Sequence, residues 1–328
     1  MRYLLTLALL LLHLLPSVAA DAPLKEPLLS RYQHAVELLN GYRGSAADLE
    51  AARSELSAVL DANPGYAPAH REMARYLIMS GHIRARNFRP GSLQAADAYI
   101  SRAIAINPDF AEAFVLRGHL YRLMGRHQDA IAALTRAEQL GTSDPWLQNN
   151  WADLLIDEGK YEEAARRYRA VIDSKTPNKK AIAAAFEGLS DYYEAQNRFD
   201  EADEIYRKQI EFEPNTAWTY GNYAKFLLCQ RDDYDRSIVR AREALQIMDY
   251  GVGRFWLASG LYRKWAKEVI GGTPEKGVPY YSEAQKIYPD VDQIASYTRA
   301  CPPLAAVRMA LDLSRRDTVK GARTRPSP

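Results

Sequence analysis

A small residue recurs along this chain at near-constant spacing, and nothing else in the sequence constrains the fold as strongly. Ala52, Ala96, Ala130, Ala164, Ala202, Ser237 and Gly277 are separated by 44, 34, 34, 38, 35 and 40 residues, a 34-residue period that carries insertions. Similar segments lead into three of them: Gly125-Arg126-His127-Gln128-Asp129-Ala130, Gly159-Lys160-Tyr161-Glu162-Glu163-Ala164 and Asn197-Arg198-Phe199-Asp200-Glu201-Ala202. Four residues beyond the small one stands a bulky side chain (Leu56, Ile100, Leu134, Tyr168, Tyr206, Tyr281), with Ala241 the exception. Pro64, Pro108, Pro177, Pro214 and Pro289 close most units. In the first half of a unit a second small residue has an apolar partner three on, as in Gly118–Tyr121, Ala152–Leu155, Ser190–Tyr193 and Ala224–Leu227. Apolar residues three and four apart define one face of a helix. Each unit therefore reads as two amphipathic helices joined by a Gly or Asn turn, and such a pair cannot bury its apolar face alone. Stacking neighbouring pairs does so, and the expected fold is an all-α solenoid.

The stretch Ala113-Phe114 … Gly118 … Tyr121 … Gly125 … Ala130 … Leu134 … Ala137 closely resembles the tetratricopeptide repeat. So does Asn150-Trp151-Ala152 … Leu155 … Gly159 … Tyr161 … Ala164 … Tyr168. The resemblance implies a right-handed superhelical solenoid of about seven helix-turn-helix repeats over residues 21–289. The units fall near 28–63, 64–108, 109–142, 143–177, 178–214, 215–249 and 250–289, with a C-terminal helical cap over 290–313 broken at Pro302-Pro303. Two loops depart from the pattern, His82 to Gly91 in the second unit and Ile270 to Lys276 in the seventh, and Pro279 falls early in the last unit's second helix. Residues 314–328 lack apolar periodicity and set five bases, from Arg315 to Arg325, against Asp317, which predicts a disordered basic tail.

The N-terminus reads differently. Arg2, an apolar run over Leu4 to Leu15, and the small residues Val18-Ala19-Ala20 form the pattern of a secretory signal peptide over residues 1–20, cleaved before Asp21. The run is shorter than the ~20 residues a membrane span needs, so an uncleaved anchor is the minor alternative. Export, most naturally to a bacterial periplasm, is the expected location. A formal net charge of +2 gives no reason to expect a nucleic-acid partner. Removing Arg2 and the basic tail leaves the repeats slightly acidic.

No catalytic, metal or cofactor motif emerges. No histidine pair has the i, i+4 spacing with a Glu base that a zinc protease uses, and there is no phosphate-cradling Gly-rich loop and no Gly-x-Ser-x-Gly elbow. The chain is expected to be neither an enzyme nor a cofactor protein. Cys229 and Cys301 are too few for a disulfide framework or a four-cysteine zinc site. Export would permit a disulfide that ties the cap to the sixth unit, but the sequence favours two separate buried thiols.

Partner binding is the functional expectation, since the first helices of such units line the surface that usually binds. Trp146 and Trp218 each stand six residues before their unit's small residue, Ala152 and Ala224, and Asn150 and Asn222 stand two before it. The resemblance implies that Asn150, with Asn149 beside it, and Asn222 hold a ligand backbone, because one amide both donates and accepts. The competing reading is that the Asn belongs to the repeat whatever it binds and that each Trp packs on the preceding unit. Charge on the same faces is mixed: Arg71, Arg75 and Arg122, then Asp153, Asp157, Asp191 and Glu194, then Lys225. A mixed face suits a specific protein or peptide, although an ordinary solvated helix face would look the same. The clamp that binds C-terminal carboxylates in chaperone-binding relatives is missing, since Arg75 stands where it requires Asn. The candidate groove is Arg122, Trp146, Asn149, Asn150, Asp153, Asp191, Trp218, Asn222 and Lys225, in an exported protein- or peptide-binding scaffold for envelope assembly, secretion or polymer export. Two other functions fit: a polysaccharide-binding accessory using Trp146 and Asp153, and a homo-oligomeric structural subunit associating through its degenerate ends. The basic tail offers a peripheral envelope contact.

Overall fold

A computed structural model describes residues 23–323 except 43, 85 and 86, so the expected signal peptide and residues 324–328 lie outside the described residues. The fold is all-α, with sixteen α-helices among the described residues. Seven pairs come first: α1 Leu28–Gly41, α2 Ala46–Ala62, α3 Ala67–Gly81, α4 Ser92–Ile106, α5 Ala111–Leu123, α6 His127–Gln139, α7 Trp146–Asp157, α8 Tyr161–Asp173, α9 Lys179–Ala195, α10 Phe199–Phe212, α11 Ala217–Arg231, α12 Tyr234–Ile247, α13 Gly251–Ile270 and α14 Pro274–Ile287. Then come α15 Val291–Ser296 and α16 Ala305–Arg323. No helix among the described residues is long and apolar enough to cross a membrane. The chain divides into two compact units, residues 1–167 and 168–328, the division falling inside α8.

The periodic small residues explain the packing. Ala52, Ala96, Ala130, Ala164, Ala202 and Ser237 are all fully buried, and Gly277 is buried with them. Helix axes approach closely at such positions: a Cβ on Gly118 of α5 would stand 2.3 Å from the Leu134 side chain of α6. The turn between paired helices passes through the left-handed region at Gly125 (φ 72°) and Gly159 (φ 76°), and at Asn197 (φ 57°) and Asp232 (φ 51°) in the later pairs. Asn and Asp are the side-chain-bearing residues that best tolerate it.

In residues 1–167 the core is a chain of local clusters. Leu39, Leu56 and Met73 join α1 to α3, Ile78, Ile100 and Leu120 join α3 to α5, and Phe114, Leu134 and Leu154 join α5 to α7. In residues 168–328 one cluster runs from α11 to α16 through Leu228, Ile238, Trp256, Tyr262, Leu304 and Leu311.

Four expectations need correction. Cys229 and Cys301 are not separate thiols: they form a disulfide, with Cα atoms 4.5 Å apart. Residues 297–304 turn back in two short 3-10 segments that carry Cys301 into the apolar cluster beside α11, a path without periodicity and so invisible in the pattern. The tail is not wholly disordered, because α16 continues through Arg323, and Arg315 on it pairs with Asp292 of α15 at 3.1 Å. The insertion at 82–91 is not a plain loop but holds a small antiparallel ribbon, His82–Arg84 with Asn87–Phe88. The loop expected over 270–276 shrinks to three residues, because α13 extends to Ile270 and Pro274 starts α14, a position where a missing N–H costs nothing.

Candidate functional site

The candidate residues fall in both compact units, and each set stands by itself. In residues 1–167, Asn150 does not line a surface. It is 5% exposed, and its Nδ2 donates to the Val115 carbonyl of α5 at 3.1 Å. Its amide also bonds His119, whose imidazole burial holds below the usual range despite the opposing pull of Asp153. Asn149 is 3% exposed. Asn150 is thus a packing residue, a correction to the groove assignment, because α5 offers a carbonyl and a ring where a ligand was expected, and Asn149 is buried beside it. Trp146 is partly buried against the cluster built on Phe114 and Leu147, and its backbone N–H donates to Asp144 at 3.0 Å.

The charges of this unit are also engaged. Arg122 donates through Nε to Asp157 at 2.8 Å, and its Nη1 lies 3.2 Å from Asp153. Further along, Glu72 is 1% exposed and accepts from Arg71 on one oxygen and from Arg75 on the other, the latter at 3.1 Å. Arg75 reaches on to Asn40 of α1 at 2.7 Å, and Arg71 approaches Asp144 at 3.9 Å. Burial raises the Asp144 carboxyl, opposed by the Trp146 N–H and by Arg71. Cations and carboxylates here bind one first helix to the next.

In residues 168–328 the same registers look different. Shifting by 72 residues maps Val115, His119 and Arg122 of α5 onto Glu187, Asp191 and Glu194 of α9, and Trp146, Asn150 and Asp153 of α7 onto Trp218, Asn222 and Lys225 of α11. The charges invert. Trp218 is 48% exposed and rests on Tyr250, ring centroids 4.7 Å apart, while the Tyr250 hydroxyl donates to the Ala217 carbonyl. Asn222, Lys225, Glu187 and Asp191 are exposed. Glu194 is half-buried and accepts from the Tyr206 hydroxyl at 2.6 Å.

The three acids crowd one another. Desolvation, then Asp191, then Glu213 at the end of α10 push the Glu187 carboxyl up to about 6. Asp191 is raised by desolvation with Lys225 opposing. Desolvation raises Glu194 as well, against the Tyr206 hydrogen bond and Lys225. Both Glu187 and Asp191 keep contact with solvent, so the neighbouring helices hem them in without sealing them off. Among the described residues no three His, Cys, Asp or Glu side chains converge to hold a metal ion. Glu187 and Tyr250 were missed in the sequence. The i, i+4, i+7 stripe of Glu187, Asp191 and Glu194 was a visible signal for the first; Tyr250 precedes a helix and gave none.

The paired helices, the small residues at their contacts and the left-handed turns recur along both units. Residues 88–145 and 149–212 match the tetratricopeptide repeat. Trp218, Asn222 and Lys225 lie in the pair that follows them. Human protein O-mannosyl-transferase TMTC3 is 27% identical over 225 residues, covering 68% of this chain and 23% of that protein. Human mitochondrial import receptor subunit TOM70 is 26% identical over 148 residues, 44% of this chain and 24% of that one. The chain thus spans about a quarter of the length of these two relatives. Among solved structures, the APC/C hetero-tetramer Cut9–Hcn1 superposes with a TM-score of 0.53 at 17% identity, over 72% of this chain and 46% of that one, a likeness of fold.

Proposed function

We propose that this chain is an exported, non-catalytic scaffold that binds a protein or peptide partner, and that its binding face is the α9–α11 surface. The observation that carries this reading is Trp218, a large aromatic left 48% exposed one helical turn from the exposed Asn222, in a unit whose Glu187 and Asp191 make no ion pair among the described residues. Aromatic anchors of this kind dominate the energetics of protein interfaces. The tetratricopeptide repeats supply the frame, since stacked helix pairs present successive first helices side by side. Export is supported by the apolar N-terminal run and by the Cys229–Cys301 disulfide, because such bonds persist in oxidising compartments. The periplasm, and a role in envelope assembly, secretion or polymer export, complete the reading.

The test uses residues 21–328 and a Trp218→Ala/Asn222→Ala variant as baits against cross-linked envelope extract, with helicity compared by circular dichroism. The expected result is a protein captured by the first bait and reduced at least tenfold on the second. Equal capture by two equally helical baits would sink the α9–α11 face.

A further inference from the structure

The geometry points to the class of partner: we infer that the α9–α11 face seats an extended protein segment in which a Lys or Arg stands next to an apolar or aromatic residue. The inference rests on the scaffold reading above and adds the chemistry.

Charge carries it first. Glu187, Asp191 and Glu194 lie on one face of α9, and among the described residues the cation that acts on them is Lys225 of α11, through Asp191 and Glu194. Neither Glu187 nor Asp191 makes a hydrogen bond or ion pair with its side chain among the described residues. At the matching registers of residues 1–167 the opposite holds: Arg122 closes on Asp153 and Asp157, and Asn150 closes on Val115. One face is completed by its own side chains, and its counterpart is left with two more carboxylates than cations. Each Lys or Arg of a peptide neutralises one carboxylate, and an Arg fork engages it with two parallel bonds.

Position supplies the rest. Trp218, Asn222 and Lys225 follow i, i+4, i+7 on α11, so about 10 Å of helix separates the aromatic end of the face from its cationic end. Trp218 on Tyr250 gives an apolar ledge, and the exposed Asn222 amide is free to accept from and donate to a peptide backbone in a way the buried Asn150 is not. A segment laid along α11 meets apolar surface and carboxylate together. Docked cation and proton compete for Glu187, which Asp191 of α9 and Glu213 of α10 face directly, with Lys225 of α11 beyond Asp191 and Glu194 one turn on. Binding therefore weakens as pH falls through about 6.

The test is selection of phage-displayed random dodecapeptides on residues 21–328, followed by fluorescence anisotropy with the enriched peptides at two salt concentrations. The expected winners carry Lys or Arg beside an apolar residue, and lose at least tenfold in affinity on Glu187→Gln/Asp191→Asn and on Trp218→Ala. An exposed control, Glu50→Gln on α2, leaves binding unchanged. Winners without a basic residue, or winners held equally by the double variant, would overturn the charge assignment and leave the scaffold reading standing. No enrichment on any bait would overturn both. A synthetic peptide of residues 314–328 that binds with the same variant dependence would make a second copy of this chain the occupant, against a foreign partner.

Discussion

Seventy-two residues separate two versions of one face, and they have diverged in what their charges do. On α5 and α7, a cation reaches forward to two acids, an Asn reaches back to a carbonyl, and the Trp lies partly buried against an apolar cluster. On α9 and α11, acids occupy the earlier helix, the cation stands on the later one without closing on them, and the Trp stays half-exposed. The repeat sets where these side chains stand but not whether they face a neighbour or solvent. Charges satisfied within the chain hold helix to helix; unsatisfied ones are available to a ligand. The difference predicts opposite responses to mutation, large for the closed face and small for the open one.

The sharpest contrast lies in neutralising one acid on each side. Glu72→Ala strands the largely buried Arg71 and Arg75, and should cost ~3–5 kcal/mol in urea unfolding, the usual penalty for half of a buried ion pair. Asp191→Asn should change stability by less than ~0.5 kcal/mol, as surface substitutions do. If the two costs are alike, the division into closed and open faces breaks.

Next in size comes the covalent tie of residues 168–328. The disulfide closes a separation of 72 residues, for which chain entropy gives ~4 kcal/mol. Cys229→Ala/Cys301→Ala should lose most of that in denaturant, and reduction of the wild type should do the same. A loss below ~1 kcal/mol would mean that the cap is held by packing alone.

The smallest effect has the opposite sign. Because the Glu187 carboxyl lies above its usual range, ionising it opposes folding, so Glu187→Gln should stabilise the chain. The gain should be absent below pH 4.5, grow to its full value above about 6, and stay within a few tenths of a kcal/mol, since solvent screens an exposed group. Thermal unfolding of both proteins at pH 4 and pH 7.5 checks sign and window. A stabilisation equal at both pH values would trace to something other than this carboxylate.

Much of the fold was legible because the repeat writes its helix contacts in residue size. The small residues at 52, 96, 130, 164, 202, 237 and 277 are all buried, and a Gly, Asn or Asp in the left-handed region marks the turn before several of them. Two things were not legible. The return of Cys301 to α11 runs through 3-10 turns that carry no period. The fate of the two asparagines was hidden as well: Asn150 and Asn222 share one register, but the first closes on the Val115 carbonyl and His119 of α5, while the matching registers of α9 hold Glu187 and Asp191 and the second stays exposed. A single sequence gives the register of a side chain, while its exposure depends on what stands across from it one repeat earlier.

The Cys229–Cys301 bond also decides the order in which such an array comes apart. A stack of helix pairs loses its outermost member first, since that member has a neighbour on one side only. Here the turn before α16 is latched four helices inward to α11, so the chain between the two cysteines stays tethered when its helices open. Within residues 168–328, amide exchange should be slower at the latched α11 than at α16, which lies beyond the latch. The latch thus keeps the open face beside the part of residues 168–328 that is last to melt.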